Sequence, residues 1–219
     1  QESKRFNQRG RDKMQVIETN LQFRGNLVKR NSTDYIVLHH AAASRCTIQD
    51  IHRWHLARGW SGCGYHFFCD KEGRIYRGRQ EDTVGAHALN YNFCSIAICA
   101  EGNFEYEQMP DKQKYAIAAL VAKLKRIYPG ARIVGHRDLN PTKCPGKNYP
   151  MGEILAIAET AFKKVFRDVT EEHWAKTSIE RVARLGLMEG FGDTFRPDDC
   201  VTRAQLAVVL DRLLKILGR

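Results

Sequence analysis

The first three-quarters of the chain alternates between short apolar runs and longer amphipathic stretches. A stretch that reads GYHFFCDKEGRIYRGR predicts a β-hairpin turning at DKEG. Three other runs, rich in β-branched residues, predict buried strands: TDYIVLHH (33–40), SIAICAEG (95–102) and ARIVGH (131–136). Strands that alternate with helical patterns are typical of an α/β domain, which we place over residues 14–164.

Three amphipathic stretches predict the helices of this domain. The first covers residues 47–60, with Thr47 as its N-cap and Asp50 in its first turn. The longest covers residues 110–130, between a proline that opens a helix and a Pro-Gly pair that ends one. The third is expected over residues 152–166. Each predicted helix follows a predicted strand, as the α/β order requires.

The two ends of the chain differ from this central part. Residues 1–13 are polar and basic, and we expect them to form a poorly ordered arm ahead of the fold. Residues 165–219 contain two helix patterns around a Gly-rich turn, with no internal repeat. They predict a small, mostly helical second domain with an apolar face of its own.

The net charge of +10 limits the kinds of partner that the chain is expected to bind. Of the 35 Lys and Arg and the 25 Asp and Glu, 9 of each lie in residues 166–219, so the excess of 26 against 16 lies in residues 1–165. We therefore expect an anionic or carboxylate-bearing partner for the first domain. Its basic residues are scattered and form no nucleic-acid motif, so nucleic acid is not the expected partner.

Cysteine content and hydropathy indicate the compartment. The seven cysteines are an odd number and several lie in apolar runs, which favours reduced thiols, with a Cys46–Cys63 disulfide as the alternative. No apolar run reaches the roughly 18 residues of a membrane span. No signal-peptide core is visible either. We expect synthesis in the cytoplasm and no membrane span.

The stretch GHRDLNPTKCPG places His136 and Cys144 on either side of a turn stiffened by two prolines. A third metal ligand would come from another strand, where IVLHH offers His39 or His40 on opposite faces. Two imidazoles and a thiolate are typical of a catalytic zinc site, which keeps its fourth position for water. The alternative is a histidine at a strand end beside a buried thiol, and spacing does not choose between His39 and His40.

Five blocks occur in the order TDYIVLHHAAAS, GWSGCGYHFF, VGAHALNYN, SIAICAEGNF and GHRDLNPTKCPG, across residues 20–160. In this order they resemble the zinc-dependent N-acetylmuramoyl-L-alanine amidases, which include the phage lysozyme-type amidases and the peptidoglycan recognition proteins. The resemblance implies a central mixed sheet flanked by helices. It also implies one Zn²⁺ held by His39, His136 and Cys144. The implied reaction is cleavage of the amide bond between N-acetylmuramic acid and L-alanine in peptidoglycan.

The same resemblance implies further residues of the site. Tyr65 would orient a water molecule or donate to the developing oxyanion. Thr142 occupies the position where the phage enzymes carry a lysine, and threonine is the form found in catalytic recognition proteins. Thr142 is therefore expected to stabilise the tetrahedral intermediate, with Lys143 as the alternative for this role. We expect substrate contacts from His87, Arg79 and Lys143, with a role at the sheet edge as the alternative for Arg79.

Four other histidines are expected to lie outside the metal site. His40 alternates away from His39 and is predicted to be packed in the interior, and His66 is predicted to be structural. His52 and His55 form an H-x-x-H pair on a predicted helix without the glutamate of a zinc-protease motif. We predict a groove-facing or surface role for this pair.

Four blocks in residues 166–219 read FRDV, HWA, GLMEGFGDTFRP and VTRAQ. They resemble an S-layer homology domain, a module that anchors proteins to bacterial cell-wall polymers, and we place it over residues 165–219. Thr202 and Gln205 predict a capping box, which puts Arg203 at a helix N-terminus. Arg203 is expected to bind an anionic wall polymer, with support of the fold as the alternative. Because such domains commonly occur in threes, a single one is expected to bind weakly, to assemble with other copies or to pack on the amidase.

These expectations combine into a zinc-dependent peptidoglycan hydrolase that acts at the bacterial cell wall. A phage or prophage endolysin, made in the cytoplasm and released at lysis, fits the absence of a visible signal peptide. A bacterial autolysin whose leader has been removed is the competing interpretation. A non-catalytic module that only binds peptidoglycan is the alternative function.

Overall fold

The computed structural model describes residues 15–162 and 166–217. The predicted N-terminal arm, the end of the third predicted helix and the predicted domain boundary at 164 and 165 lie outside the described residues. Six strands form one sheet: β1 (Val16–Ile17), β2 (Tyr35–His40), β3 (Phe67–Cys69), β4 (Ile75–Arg77), β5 (Ser95–Ala100) and β6 (Arg132–Gly135).

The sheet has the strand order β1-β4-β3-β5-β2-β6. Among the six described strands, β3 and β4 pair antiparallel and the other neighbours pair parallel. The antiparallel pair is the predicted hairpin, which turns where the Gly73 amide donates to the Asp70 carbonyl oxygen. The expected α/β fold with a mixed sheet is therefore confirmed.

Five α-helices occur in the described residues: α1 (Ile48–Ala57), α2 (Asp111–Ile127), α3 (Met151–Phe162), α4 (Lys176–Arg184) and α5 (Arg203–Ile216). Helix α1 begins at the capping box that Thr47 and Asp50 were expected to start. It ends at Ala57, earlier than expected, because the chain turns through Gly59 at a φ of 82°.

Side-chain alternation divides the sheet into two faces. Ile36, Leu38, Ile96 and Ile98 point to the face that α2 and α3 cover, and they are fully buried in the larger apolar cluster. The opposite face carries Cys99 and Phe68, which pack on Ile48 and Ile51 of α1. Because His39 pairs directly with Cys99 across the parallel strands, it shares this second face.

The carboxyl ends of the parallel strands meet at one edge of the sheet. In the pairing of β2 with β6, Leu38 lies opposite Gly135. The next residues along the two strands are His39 and His136, so the register itself brings two predicted metal ligands to the same edge.

The part of the chain after residue 165 has a small core of its own. Phe166, Val169, Ile179 and Ala183 form this cluster. The predicted capping box of Thr202 and Gln205 starts α5 and is confirmed. Val209 of this last helix is half-buried. The other large apolar side chains of the helix are 36–50% exposed, namely Leu206, Val208, Leu210, Leu213, Leu214 and Ile216.

All seven cysteines lie in the described residues and are free thiols, so the Cys46–Cys63 disulfide considered above does not form in this structure. Cys46, Cys63, Cys69, Cys94 and Cys99 are buried as small apolar residues. Across 15–162 and 166–217, none of the helices combines the length and the apolar character that crossing a bilayer requires.

We expect the stability of the protein to depend strongly on Ile98, a side chain of the central strand β5. Ile98 is fully buried, and we expect Ile98→Ala to lower the free energy of unfolding by about 2–5 kcal/mol through the lost apolar contact and the cavity it leaves. Val28 is 71% exposed, so Val28→Ala is the matched control and should change it by less than about 0.5 kcal/mol. Urea unfolding followed by circular dichroism measures both, and equal midpoints would contradict the assigned core.

Candidate metal centre

Three side chains converge at the carboxyl edge of the sheet. His39, His136 and Cys144 each offer a ligand atom, and these atoms lie within 4.8 Å of one another. His39 is fully buried, whereas the other two are half-buried and give the cluster one open side. This is the set expected from the sequence, and the geometry selects His39 over His40.

The loop after β6 is held in place by hydrogen bonds to its backbone amides. His136 starts a short 3₁₀ helix (His136–Asp138), and the Asp138 carboxylate accepts from the Gly135 amide at 2.7 Å. The Arg137 amide donates to the Cys144 carbonyl oxygen at 2.9 Å, which closes the loop on itself. The two candidate ligands on this loop are therefore held relative to one another by the polypeptide itself.

Burial determines the charge of the ligands. It lowers the pKa of His39 well below its usual value, with the neighbouring histidines as a smaller cause, and so keeps the ring neutral. Burial also raises the pKa of the Cys144 thiol to about 12. A thiolate at this position therefore needs a cation beside it, and a divalent metal supplies one. Two neutral imidazoles and one thiolate with an open side fit the donor set of zinc.

Each histidine ligand contacts a further residue through its Nε2 atom. His39 Nε2 lies 3.1 Å from His87 Nδ1, and His136 Nε2 lies 3.2 Å from Asn140 Oδ1. The other nitrogen of His39, Nδ1, lies 3.6 Å from the Cys144 sulfur. The Nδ1 side of His39 thus faces the third ligand.

Tyr65 and Thr142 flank this cluster. The Tyr65 ring centroid is 5.1 Å from that of His39, and burial raises the pKa of its hydroxyl well above the usual value, which keeps it a proton donor. The Thr142 hydroxyl accepts from the Cys144 amide at 3.2 Å, so it is tied to the ligand loop. Lys143, which lies between Thr142 and Cys144 in the loop, is exposed.

His87 and Arg79, two of the residues expected to contact the substrate, are buried. His87 is buried, with Nδ1 at His39 and Nε2 3.3 Å from the Ser95 hydroxyl. It contacts a candidate ligand, and its expected contact with the substrate stays a prediction. Arg79 is also buried, and its guanidinium donates to the carbonyl oxygens of Cys63 and Val84. These donors hold the chain on both sides, which favours the structural alternative for Arg79, and its expected contact with the substrate stays a prediction.

The H-x-x-H pair on α1 is buried, so the expected groove-facing or surface role is wrong. His52 Nδ1 accepts from the Cys63 amide at 3.1 Å, and His55 Nδ1 accepts from the Gly64 amide at 2.9 Å. Burial lowers the pKa of His55 to about 4, which keeps its ring a neutral acceptor. The pair therefore fixes the two residues that precede Tyr65 in the chain.

His40 and His66 lie in the interior, as expected. His40 Nδ1 accepts from the Phe104 amide on the opposite face of the sheet. His66 is fully buried between the Ala97 amide and the Thr83 carbonyl oxygen.

The sequence reasoning missed Ser95 and Asn140. Both contact the histidines described above, but each is a common polar residue in a loop or at a strand end. Asn140 stands four residues after His136, a spacing that one helical turn brings together, and this is the one local signal that could have identified it.

Comparisons with known proteins agree with this geometry. Residues 29–147 match the family pattern of N-acetylmuramoyl-L-alanine amidases, and residues 165–207 match that of the S-layer homology domain. An endolysin of Klebsiella phage KP32 is 33% identical over 126 residues, covering 53% of this chain and 83% of the endolysin. A peptidoglycan-recognition protein of Drosophila melanogaster, SC2, is 33% identical over 130 residues, covering 54% and 71%.

A solved structure shows the same fold. It is the N-acetylmuramoyl-L-alanine amidase LysC from Clostridium intestinale URNW, with 39% identity and a TM-score of 0.63. The match covers 65% of this chain and 95% of that protein.

The cluster predicts that metal retention depends on one thiol. After incubation with Zn²⁺ and dialysis, the unaltered chain should retain about one equivalent of metal, and Cys144→Ser should retain almost none because a hydroxyl is a poor zinc ligand. Cys200 is exposed, so Cys200→Ser is the matched control and should retain as much as the unaltered chain. Elemental analysis measures all three, and full retention by Cys144→Ser would exclude this thiol as a ligand.

Proposed function

The chain belongs to the N-acetylmuramoyl-L-alanine amidase family and carries an S-layer homology domain after the amidase part, and from this we propose that it is a zinc-dependent peptidoglycan hydrolase. The bond cleaved is the amide between N-acetylmuramic acid and the L-alanine of the stem peptide. The observation that carries this proposal is the convergence of His39, His136 and Cys144 within 4.8 Å.

The proposed chemistry divides between the ion and the chain. Zinc at this site supplies a water molecule acidified towards a pKa of about 7 and polarises a carbonyl group. Tyr65 donates its hydroxyl hydrogen to the oxygen of the scissile carbonyl as negative charge develops there. Thr142, whose hydroxyl oxygen accepts from the Cys144 amide, keeps its hydroxyl hydrogen to donate to the tetrahedral intermediate. Lys143 is the one expected substrate contact left exposed, and we assign it to a carboxylate of the substrate.

The S-layer homology domain supplies the proposed attachment to the wall. Arg203 is the first residue of α5, directly after the Thr202 cap, and its side chain is exposed. A guanidinium beside the free amides of a helix N-terminus suits an anionic polymer. The partner proposed for residues 165–219 is therefore an anionic secondary polymer of the cell wall, while peptidoglycan is the partner of the proposed catalytic domain over residues 14–164.

The site of action in this proposal is the bacterial cell wall. The similarity to a phage endolysin supports an endolysin that is made in the cytoplasm and released at lysis. A secreted autolysin is the competing origin, and both carry out the same reaction.

Digestion of purified peptidoglycan tests the reaction. Mass spectrometry should find free stem peptides that begin with L-alanine, and Tyr65→Phe should slow their release by about 10²-fold while the metal is retained. Tyr106 is 85% exposed, so Tyr106→Phe is the matched control and should leave the rate unchanged. If the unaltered chain leaves muropeptides intact but sediments with the wall, the function is that of a non-catalytic peptidoglycan-binding module.

Co-sedimentation with purified walls tests the second domain. Arg203→Ala should weaken binding about tenfold, which is the loss of one charge-assisted contact. Lys215→Ala removes a positive charge at the other end of the same helix and should change binding little. Walls stripped of secondary polymers should bind both variants and the unaltered chain equally. Equal binding of the Arg203 and Lys215 variants to intact walls would leave Arg203 with a purely structural role.

A further inference from the structure

We propose that His87 and Asn140 are positioning residues that direct both histidine ligands to bind the metal through Nδ1. His87 lies in the segment Gly85–Ser95, which we call the backing loop because it packs behind the metal centre. The inference rests on the proposed zinc site and adds how the chain selects one nitrogen of each ring.

A chain of buried hydrogen bonds determines the orientation of His39. The Ser95 hydroxyl donates its single hydrogen to the Tyr91 carbonyl oxygen at 2.6 Å, so towards His87 Nε2, 3.3 Å away, it acts as acceptor. His87 therefore carries its ring hydrogen on Nε2 and presents Nδ1 as an acceptor. His39 Nε2, 3.1 Å away, is then the donor. The unprotonated nitrogen of His39 is Nδ1, which faces Cys144.

A second, independent contact determines the orientation of His136. The Asn140 amide nitrogen donates to the Leu89 carbonyl oxygen at 3.1 Å, so its Oδ1 atom is the one that faces His136. Oδ1 lies 3.2 Å from His136 Nε2 and can only accept. His136 therefore carries its ring hydrogen on Nε2 and leaves Nδ1 for the metal. Because Leu89 belongs to the backing loop, both histidines are oriented by the same segment.

The backing loop is built to hold His87 in one place. The backbone amides of His87 and Ala88 both donate to Asn92 Oδ1, at 2.7 and 3.0 Å. A Cβ atom at Gly85 would lie 2.4 Å from Cδ2 of the His87 ring, so any side chain there would displace the ring. The glycine is required by this close approach. Two unrelated features thus converge on the position of one imidazole.

The zinc affinity of variants tests the inference. A partner of this kind typically contributes 10–100-fold to metal affinity, so His87→Phe and Asn140→Leu should weaken zinc binding by about that factor in a chelator competition. Asn140→Asp keeps the acceptor oxygen and should stay within about threefold of the unaltered chain. Ser95→Ala should weaken binding less than His87→Phe, because it acts one hydrogen bond further away. Ser61→Ala is the matched control, because the Ser61 hydroxyl accepts from the Arg79 guanidinium and not from a candidate ligand.

The test distinguishes a variant that fails to fold from a folded variant that binds zinc more weakly. Circular dichroism identifies variants that do not fold, and Asn140→Leu, in a half-exposed loop, carries the test if His87→Phe is one of them. If the unaltered chain binds no zinc, the proposed function and this inference both fail. If it binds zinc and the folded variants bind it equally well, only the inference fails.

Long-range ¹H–¹⁵N spectra of the zinc-loaded chain give a readout that does not depend on activity or stability. The inference expects hydrogen on Nε2 and metal on Nδ1 for both His39 and His136. Hydrogen on Nδ1 of either ring would overturn it for that ligand.

Discussion

The parallel pairing of β2 with β6 is the contact on which the metal centre depends. Val37 lies opposite Val134 and Leu38 opposite Gly135, so the next residues along the chain, His39 and His136, reach the same edge of the sheet. A slip of one residue would exchange His39 for His40, whose side chain points to the other face of the sheet. Both faces of β2 are buried, so a one-residue slip would also exchange the side chains that pack in the two apolar clusters. The core and the site are therefore set by the same alternation.

Burial gives the cluster its chemical character. Desolvation lowers the pKa of the His39 ring and raises that of the Cys144 thiol, so the polypeptide alone favours an uncharged set. A divalent cation reverses this preference for the thiol and leaves the imidazoles neutral, which is the form that binds metal. The low dielectric that makes the free thiol a poor acid also strengthens the attraction between a thiolate and a bound cation. Burial thus opposes the thiolate in the free chain and strengthens its attraction to a cation once one is bound.

Histidines with the same chemistry serve different purposes around this edge. His52 and His55 accept hydrogen bonds from the backbone just before Tyr65, and they hold the start of that segment. His66 and His40 satisfy backbone amides in the interior. Neutral imidazole suits all of these positions because it accepts on one nitrogen and donates on the other. Only the direction of the ring and the neighbours it meets distinguish a structural histidine from a metal ligand.

The sequence alone indicated the hairpin, the strands β2, β5 and β6 and the capped starts of α1 and α5, but not the short strand β1. Through the resemblance of five ordered blocks it also indicated the candidate ligands His39, His136 and Cys144. These features are encoded by period-two alternation, capping residues and short motifs. Such local patterns can be recognised from the order of the residues alone. The places of His87 and Arg79 were decided only by the tertiary structure. His87 meets His39 across 48 residues of chain, and Arg79 meets the Cys63 carbonyl across 16. Such contacts depend on how separate segments pack, and the packing leaves no mark in the sequence beside either residue.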